Sequence, residues 1–240
     1  MALDLNTITW GDGPRSVLLL HGITSDAAGW WRLGPVVAEL GFTVVAADLR
    51  GHGHSPKSDD HHLEAYVADV LALGDSWDVV LGHSMGGAVA IIASAGEPTW
   101  TRQLILEDPA IVIPNLPSAI AWLQDDFEGD ITADRLAAKS PEWPRQDAET
   151  KAEALRRCGP EVVELAFTQN DPWDLLQQFA ALQIPTTVIG ADPERGSMIP
   201  TWFGHELATN PAVTFVQVMG SHSMHRDRWD DFWATVTAAL

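Results

Sequence analysis

Six short apolar runs, rich in leucine and β-branched residues, fall at 16–20, 42–47, 77–81, 103–106, 185–189 and 213–218, each bounded by Gly, Pro or Asp. Apolarity without alternation over so few positions is the pattern of a strand covered on both faces. Between most of these runs lie helix-length segments, at 33–40, 63–73, 85–95, 201–208 and 227–240. The alternation predicts an α/β fold, doubly wound, with a mostly parallel central sheet flanked by helices. In such sheets reactive groups belong to loops at the carboxyl ends of the strands.

Residues 111–182 break the rhythm. They hold no convincing strand, a surplus of acidic over basic side chains, and three tryptophans, Trp122, Trp143 and Trp173. Pro141, Pro144, Pro160 and Pro172 cut the stretch into short helices. It is too long for a loop and reads as a helical cap inserted over a core domain made of 1–110 and 183–240.

The chain has 240 residues, 33 acidic against 14 basic, and a formal net charge of −19. That field disfavours nucleic acid and anionic membrane surfaces as partners and leaves a small-molecule substrate. No export signal is expected in residues 1–10, and the longest nearly uncharged stretch, 85–96, falls short of the roughly 20 residues a membrane helix needs. The expected location is cytoplasmic. The single cysteine, Cys158, excludes a disulfide framework and has no partners at zinc-ligand spacing. His52 and His54 lack a carboxylate at ligand spacing, so no metal and no cofactor is expected.

The sharpest chemical signal is Gly82-His83-Ser84-Met85-Gly86-Gly87, directly after one strand and directly before an apolar helix. A serine in so tight a strand-to-helix turn is lifted clear of the sheet, and the glycines leave room for the bend. Ser84 is the expected nucleophile, and the Met85 N–H an oxyanion donor. His21-Gly22-Ile23-Thr24, after the first strong strand, offers Ile23 N–H as the second donor. In Gly220-Ser221-His222-Ser223-Met224-His225, His222 sits at a strand's carboxyl end and is the expected base; His225, three residues on, points elsewhere. An orienting carboxylate is offered by Asp192, in Gly190-Ala191-Asp192-Pro193, or by Asp108, in Leu106-Glu107-Asp108-Pro109. Asp192 is favoured, since Ser84, Asp192, His222 is then the chain order expected with a nucleophile elbow; Asp108 is the alternative acid.

With these motifs in order, joined by Asp48-Leu49-Arg50-Gly51-His52-Gly53-His54-Ser55, the chain resembles the α/β-hydrolase fold family, in its capped, esterase-like serine-hydrolase branch. The resemblance covers nearly the whole chain. It implies Ser84 as nucleophile, His222 as base, Asp192 as acid, and Ile23 and Met85 N–H as oxyanion hole. Two departures stand out: there is room for only one strand before residue 16, and the Asp192 loop is one residue tighter than a common family pattern, which keeps Glu194 and Asp108 open as the acid. A serine at position 84 argues against the family's aspartate-nucleophile dehalogenases and epoxide hydrolases.

The expected activity is cleavage of an ester or lactone of a small apolar or aromatic substrate through an acyl-enzyme. Trp30, Trp122 and Trp143 are the expected substrate contacts, with Trp31 and Trp173 near them. The negative field disfavours anionic substrates unless a cap arginine such as Arg135, Arg145 or Arg157 faces inward. The same fold also carries C–C bond hydrolases, perhydrolases, cofactor-free oxygenases and non-catalytic ligand receptors, which stand as alternatives.

Overall fold

The computed structural model describes residues 1–240. Seven strands form one sheet: β1 Thr7–Trp10, β2 Arg15–Leu20, β3 Phe42–Ala47, β4 Val79–His83, β5 Leu104–Glu107, β6 Thr186–Gly190 and β7 Val213–Gln217. Their order is β1-β3-β2-β4-β5-β6-β7. Only β1 runs antiparallel, pairing Thr7 with Ala47 and Trp10 with Val44; the other pairs are parallel. The run expected at 77–81 is shifted: Trp77 makes an isolated bridge to Thr101, and the ladder proper starts at Val79.

The strands bury both faces, and their period of two divides the core. Leu18, Leu20, Val80, Leu104 and Leu106 face one layer, which includes residues of α2 (Leu63–Ala72) and α3 (Met85–Gly96). Val17, Leu19, Val79, Leu81 and Ile105 face the other, beside α1 (Leu33–Ala38) and α11 (Trp229–Ala239). Each fully buried leucine or isoleucine stabilises this sandwich by about 1.5–3 kcal/mol.

Between β5 and β6 the chain forms five helices: α4 Leu116–Gln124, α5 Ala133–Lys139, α6 Arg145–Cys158, α7 Pro160–Thr168 and α8 Leu176–Ala180. Phe179 of α8 and the following Leu182 join the apolar layer of α3, so the end of this segment packs as part of the sheet's flank. After β6 come α9 (Thr201–Leu207), β7 and the short α10 (Met224–Asp227). No helix is long and apolar enough to cross a membrane.

The strand order fixes the site. From β2 the chain steps outward to β3, then returns across β2 to β4 and proceeds away through β5, β6 and β7. Direction reverses between β2 and β4, and in open parallel sheets the crevice outside that point receives ligands. The loops after these strands carry Ile23 and Ser84.

Asp26, in the loop after β2, is 4 % exposed and its Oδ1 has no hydrogen-bond partner. Burial, with Asp48 nearby, pushes its carboxyl up to about 6 from 3.8. The folded state therefore favours the protonated acid: this contribution to stability is full below the unfolded value and is lost as pH rises through about 6. Urea unfolding at about pH 5 and about pH 8 should show Asp26→Asn gaining about 1 kcal/mol on wild type between the two. A difference that stays constant with pH contradicts this.

Candidate active site

Ser84 joins β4 to α3 with φ 51° and ψ −116°. The turn is stapled on its far side: Ser84 N–H donates to Glu107 O at 3.0 Å, and Ser84 O accepts from Ala110 N at 3.1 Å. A Cβ on Gly82 would lie 2.6 Å from Gly86 O, and one on Gly86 would collide with Leu20 O. These two glycines let the helix start directly against β2. Three non-glycine residues have positive φ: Thr24 at 63°, Ser84 at 51° and Asp108 at 38°. All follow the carboxyl ends of strands, and Thr24 and Ser84 line one cavity. Such conformations cost on the order of 1–3 kcal/mol each and persist where surrounding packing over-determines them.

His222 Nδ1 donates to Asp108 Oδ2 at 2.6 Å. Asp108, fully buried after β5, has its carboxylate held by four more donors: Ser197 Oγ at 2.8 Å, Met198 N at 2.9 Å, and Ala191 N and Ile199 N at 3.2 Å each. The structure brings the alternative acid, Asp108, to His222, and not the favoured Asp192. The loop after β6 sends no carboxylate to His222; it supplies the N–H and hydroxyl groups that grip Asp108. The Asp192 side chain instead caps the following 3₁₀ turn, accepting from Glu194 N at 2.9 Å. Position along the sheet did not separate the two, because β5 and β6 both lie between the β4 serine and the histidine beyond β7.

Ser84 and His222 line one cavity of about 210 Å³. The imidazole, with its Nδ1 committed to Asp108, has Nε2 without a protein partner, as is Ser84 Oγ. Ile23 and Met85 line the same cavity, and neither N–H makes a protein hydrogen bond. Two unpartnered donors beside a serine hydroxyl form a place where negative oxygen is stabilised. His83, whose Nε2 lies 2.9 Å from His222 O, packs against the His222 ring with centroids 4.7 Å apart. Burial, then the neighbouring His222 and His225, hold His83 well below the usual imidazole range, so it is neutral.

The opposite wall comes from the segment between β5 and β6. Trp122, Leu123, Leu136, Trp143, Phe167 and Trp173 line it, and Trp122, 61 % exposed, meets the His222 ring edge-on at 6.2 Å. Of the tryptophans expected to contact substrate, Trp122 and Trp143 line the cavity and Trp30 does not. Trp30 is 2 % exposed in a 3₁₀ turn packed on the sheet, tilted against the His225 ring. Trp31 is also outside, donating to Asp147 Oδ1 at 3.0 Å.

Arg135, Arg145 and Arg157 stay on the outside too. Arg135 binds Asp125 and Asp126 carbonyls, Arg145 pairs with Asp134 and Glu149, and Arg157 with Glu153. Four cations the sequence did not single out line the cavity instead: Lys139, Arg195 and, buried, Lys151 of α6 and Arg226 of α10. Lys151 Nζ donates to Thr24 Oγ1 at 2.6 Å and to Thr24 O at 3.1 Å, tying α6 to the loop that carries Ile23. Burial pulls its pKa down to about 8, Asp126 opposing and Arg226 adding to the fall. Cys158 is buried, and burial pushes its thiol up to about 12, which removes it as a nucleophile. No cluster of three or more His, Cys, Asp or Glu side chains is arranged to hold a metal ion.

The sequence profile of the Alpha/beta hydrolase family matches residues 17–235. N-formylmaleamate deformylase of Pseudomonas putida is 30 % identical over 242 residues, covering 93 % of this chain and 87 % of that protein. Lipase LipV of Mycobacterium tuberculosis is 39 % identical over 118 residues, 47 % of this chain and 44 % of its own length. The crystal structure of the N-formylmaleamic acid deformylase from Pseudomonas putida S16 superposes with a TM-score of 0.82 at 27 % identity, covering 98 % of this chain and 96 % of that one. With a sheet, a strand-to-helix serine turn and a near-full-length profile in agreement, this chain belongs to the alpha/beta hydrolase family.

Proposed function

We propose that this chain is a serine hydrolase that cleaves an ester-type bond, ester or lactone, of a small substrate through an acyl-enzyme, with α4 to α7 acting as its cap. The observation that carries the reading is the shared cavity: Ser84, His222 backed by Asp108, and the free N–H groups of Ile23 and Met85 all meet there. Ser84 Oγ attacks the acyl carbon while its proton passes to His222 Nε2. Asp108 fixes the tautomer and stabilises the imidazolium. The carbonyl oxygen takes up negative charge and accepts from Ile23 and Met85 N–H. As the carbon–oxygen bond to the leaving group breaks, His222 gives its proton to the departing alkoxide. Water then attacks the Ser84 ester, its proton moving to His222 and from there to Ser84 Oγ as the acid leaves. The Ser84–His222 hydrogen bond closes with substrate in place; such contacts are commonly loose without it.

The cavity, small beside the 300–1,000 Å³ or so of drug-sized sites and walled by indoles, suits a compact substrate. A second reading, hydrolysis of an N-acyl bond such as a formyl amide, is supported by the near-full-length likeness to N-formylmaleamate deformylase. Both readings use the same steps, with an amide nitrogen in place of the leaving oxygen.

Short-chain p-nitrophenyl esters with wild type and Ser84→Ala test the nucleophile: kcat should fall by about 10³-fold or more in the variant, and a fluorophosphonate should add one adduct to wild type alone. Equal labelling of both proteins contradicts it. For the acid, Asp108→Asn should lower kcat by about 10³–10⁴-fold. Asp192→Asn should stay within about 3-fold of wild type, since asparagine caps a helical turn as well as aspartate does. The reverse ranking would return the role to Asp192.

A further inference from the structure

Two arginines are buried to the same degree, and the fold treats them differently. Arg50, 2 % exposed, is fully engaged: Nε and Nη2 grip Asp69 at 2.7 and 2.9 Å, Nη1 donates to Asp60 O, and Nη2 also to Ala65 O. This is how a structural arginine is satisfied. Arg226, 4 % exposed, has two hydrogen bonds, both to neutral groups: Nε to His225 Nε2 at 3.1 Å and Nη2 to Ser25 Oγ at 3.2 Å. Its Nη1 has no protein partner, and the residue lines the same cavity as Ser84 and His222.

The guanidinium is nonetheless held firmly. Both oxygens of the fully buried Glu107 lie on His225 Nδ1, at 2.9 and 2.8 Å, and Oε1 accepts His225 N as well. With Nδ1 donating, His225 Nε2 is left to accept from Arg226. Trp143 covers the guanidinium face, 4.5 Å from ring centroid to Cζ. The nearest carboxylate, Asp147, is 3.9 Å from Nε with its Oδ1 already accepting from Trp31. Hence no carboxylate hydrogen-bonds to a buried charge that is fixed in position, a costly arrangement unless something else completes it. Lys151 adds a second buried cation to the same wall, its Nζ 3.6 Å from Asp126 Oδ2, and the nearby Arg226 charge contributes to its lowered pKa. The remaining cations at the cavity, Lys139 and Arg195, are neutralised by Asp125, Asp126, Glu142 and Asp227.

We propose that Arg226, with Lys151 beside it, is an anion subsite that binds a carboxylate carried by the substrate away from the scissile acyl bond. The substrate class is then a small half-ester or half-amide of a dicarboxylic acid, or a lactone bearing a free acid. An overall charge of −19 does not oppose this, because the field that matters is local: the carboxylate meets a cavity wall where the buried Arg226 keeps Nη1 free of any protein hydrogen bond. Which bond reacts rests on the hydrolase reading above; the binding itself does not. A pocket that anchors one end of a compact molecule by a charge-assisted hydrogen bond also orients its acyl carbon at Ser84.

The test uses calorimetric titration of monomethyl succinate and dimethyl succinate into the Ser84→Ala protein, which cannot turn them over. The charged half-ester should bind at least about tenfold more tightly than the neutral diester. Adding Arg226→Gln should erase most of that preference, and Lys151→Met should reduce it. If Arg226→Gln does not fold, as thermal melting will show, the ester pair and Lys151→Met still decide. Equal binding of the two esters, binding of neither, or a preference that survives both substitutions overturns the anion subsite. Fluorophosphonate labelling of wild-type Ser84, read in parallel, reports on the hydrolase reading whatever the titration gives.

Discussion

A single buried carboxylate ties the working parts of this molecule together. Asp108 leaves β5 at φ 38° and takes five donors, from the loop after β6 and from His222 beyond β7. A charge at this depth is tolerable only when its lone pairs are filled, so the loop from Ala191 to Ile199 and the His222 loop must both arrive in place. Residue 107, immediately before it, does the same for a second pair through His225 and so for Arg226. The carboxyl end of one strand thereby sets both the imidazole that faces Ser84 and the guanidinium that faces the far wall.

The rigid sheet is what permits the strain at that end. Thr24, Ser84 and Asp108, each with positive φ, follow β2, β4 and β5, three neighbouring strands with apolar cores on both faces. Relaxing Ser84 or Asp108 would unseat hydrogen bonds that cross to the next strand, Ser84 N–H to Glu107 O and Asp108 N–H to Ile189 O. Lys151 extends the same constraint to the helical segment above by gripping Thr24, whose neighbour Ile23 offers its N–H to the cavity.

Much of this was legible in the sequence because it is written in local patterns. Apolar runs with Gly, Pro or Asp at their ends located the strands within a residue or two, and the Gly82 to Gly87 motif carried its own context of strand before and helix after. What was not legible depends on partners far apart in the chain. Asp108 and Asp192 both stand after a strand and beside a proline, and only the direction in which the 191–199 loop turns its N–H groups separates them. Trp30 looked like a pocket residue because nothing local shows that its turn packs on the sheet. Arg226 and Lys151 look like ordinary helix surface cations in a linear reading; their significance comes from burial and, for Arg226, from the lack of a hydrogen bond to any carboxylate. Arg135, Arg145 and Arg157, more conspicuous beside the acidic surplus of their segment, pair with it on the outside.

The pairing of His222 with Asp108 is the claim on which the rest leans, and the proton between them can be observed directly. Proton NMR should show a strongly deshielded His222 Nδ1–H in wild type and in Asp192→Asn, lost in Asp108→Ala. A signal that survives Asp108→Ala and disappears in Asp192→Asn would contradict the account.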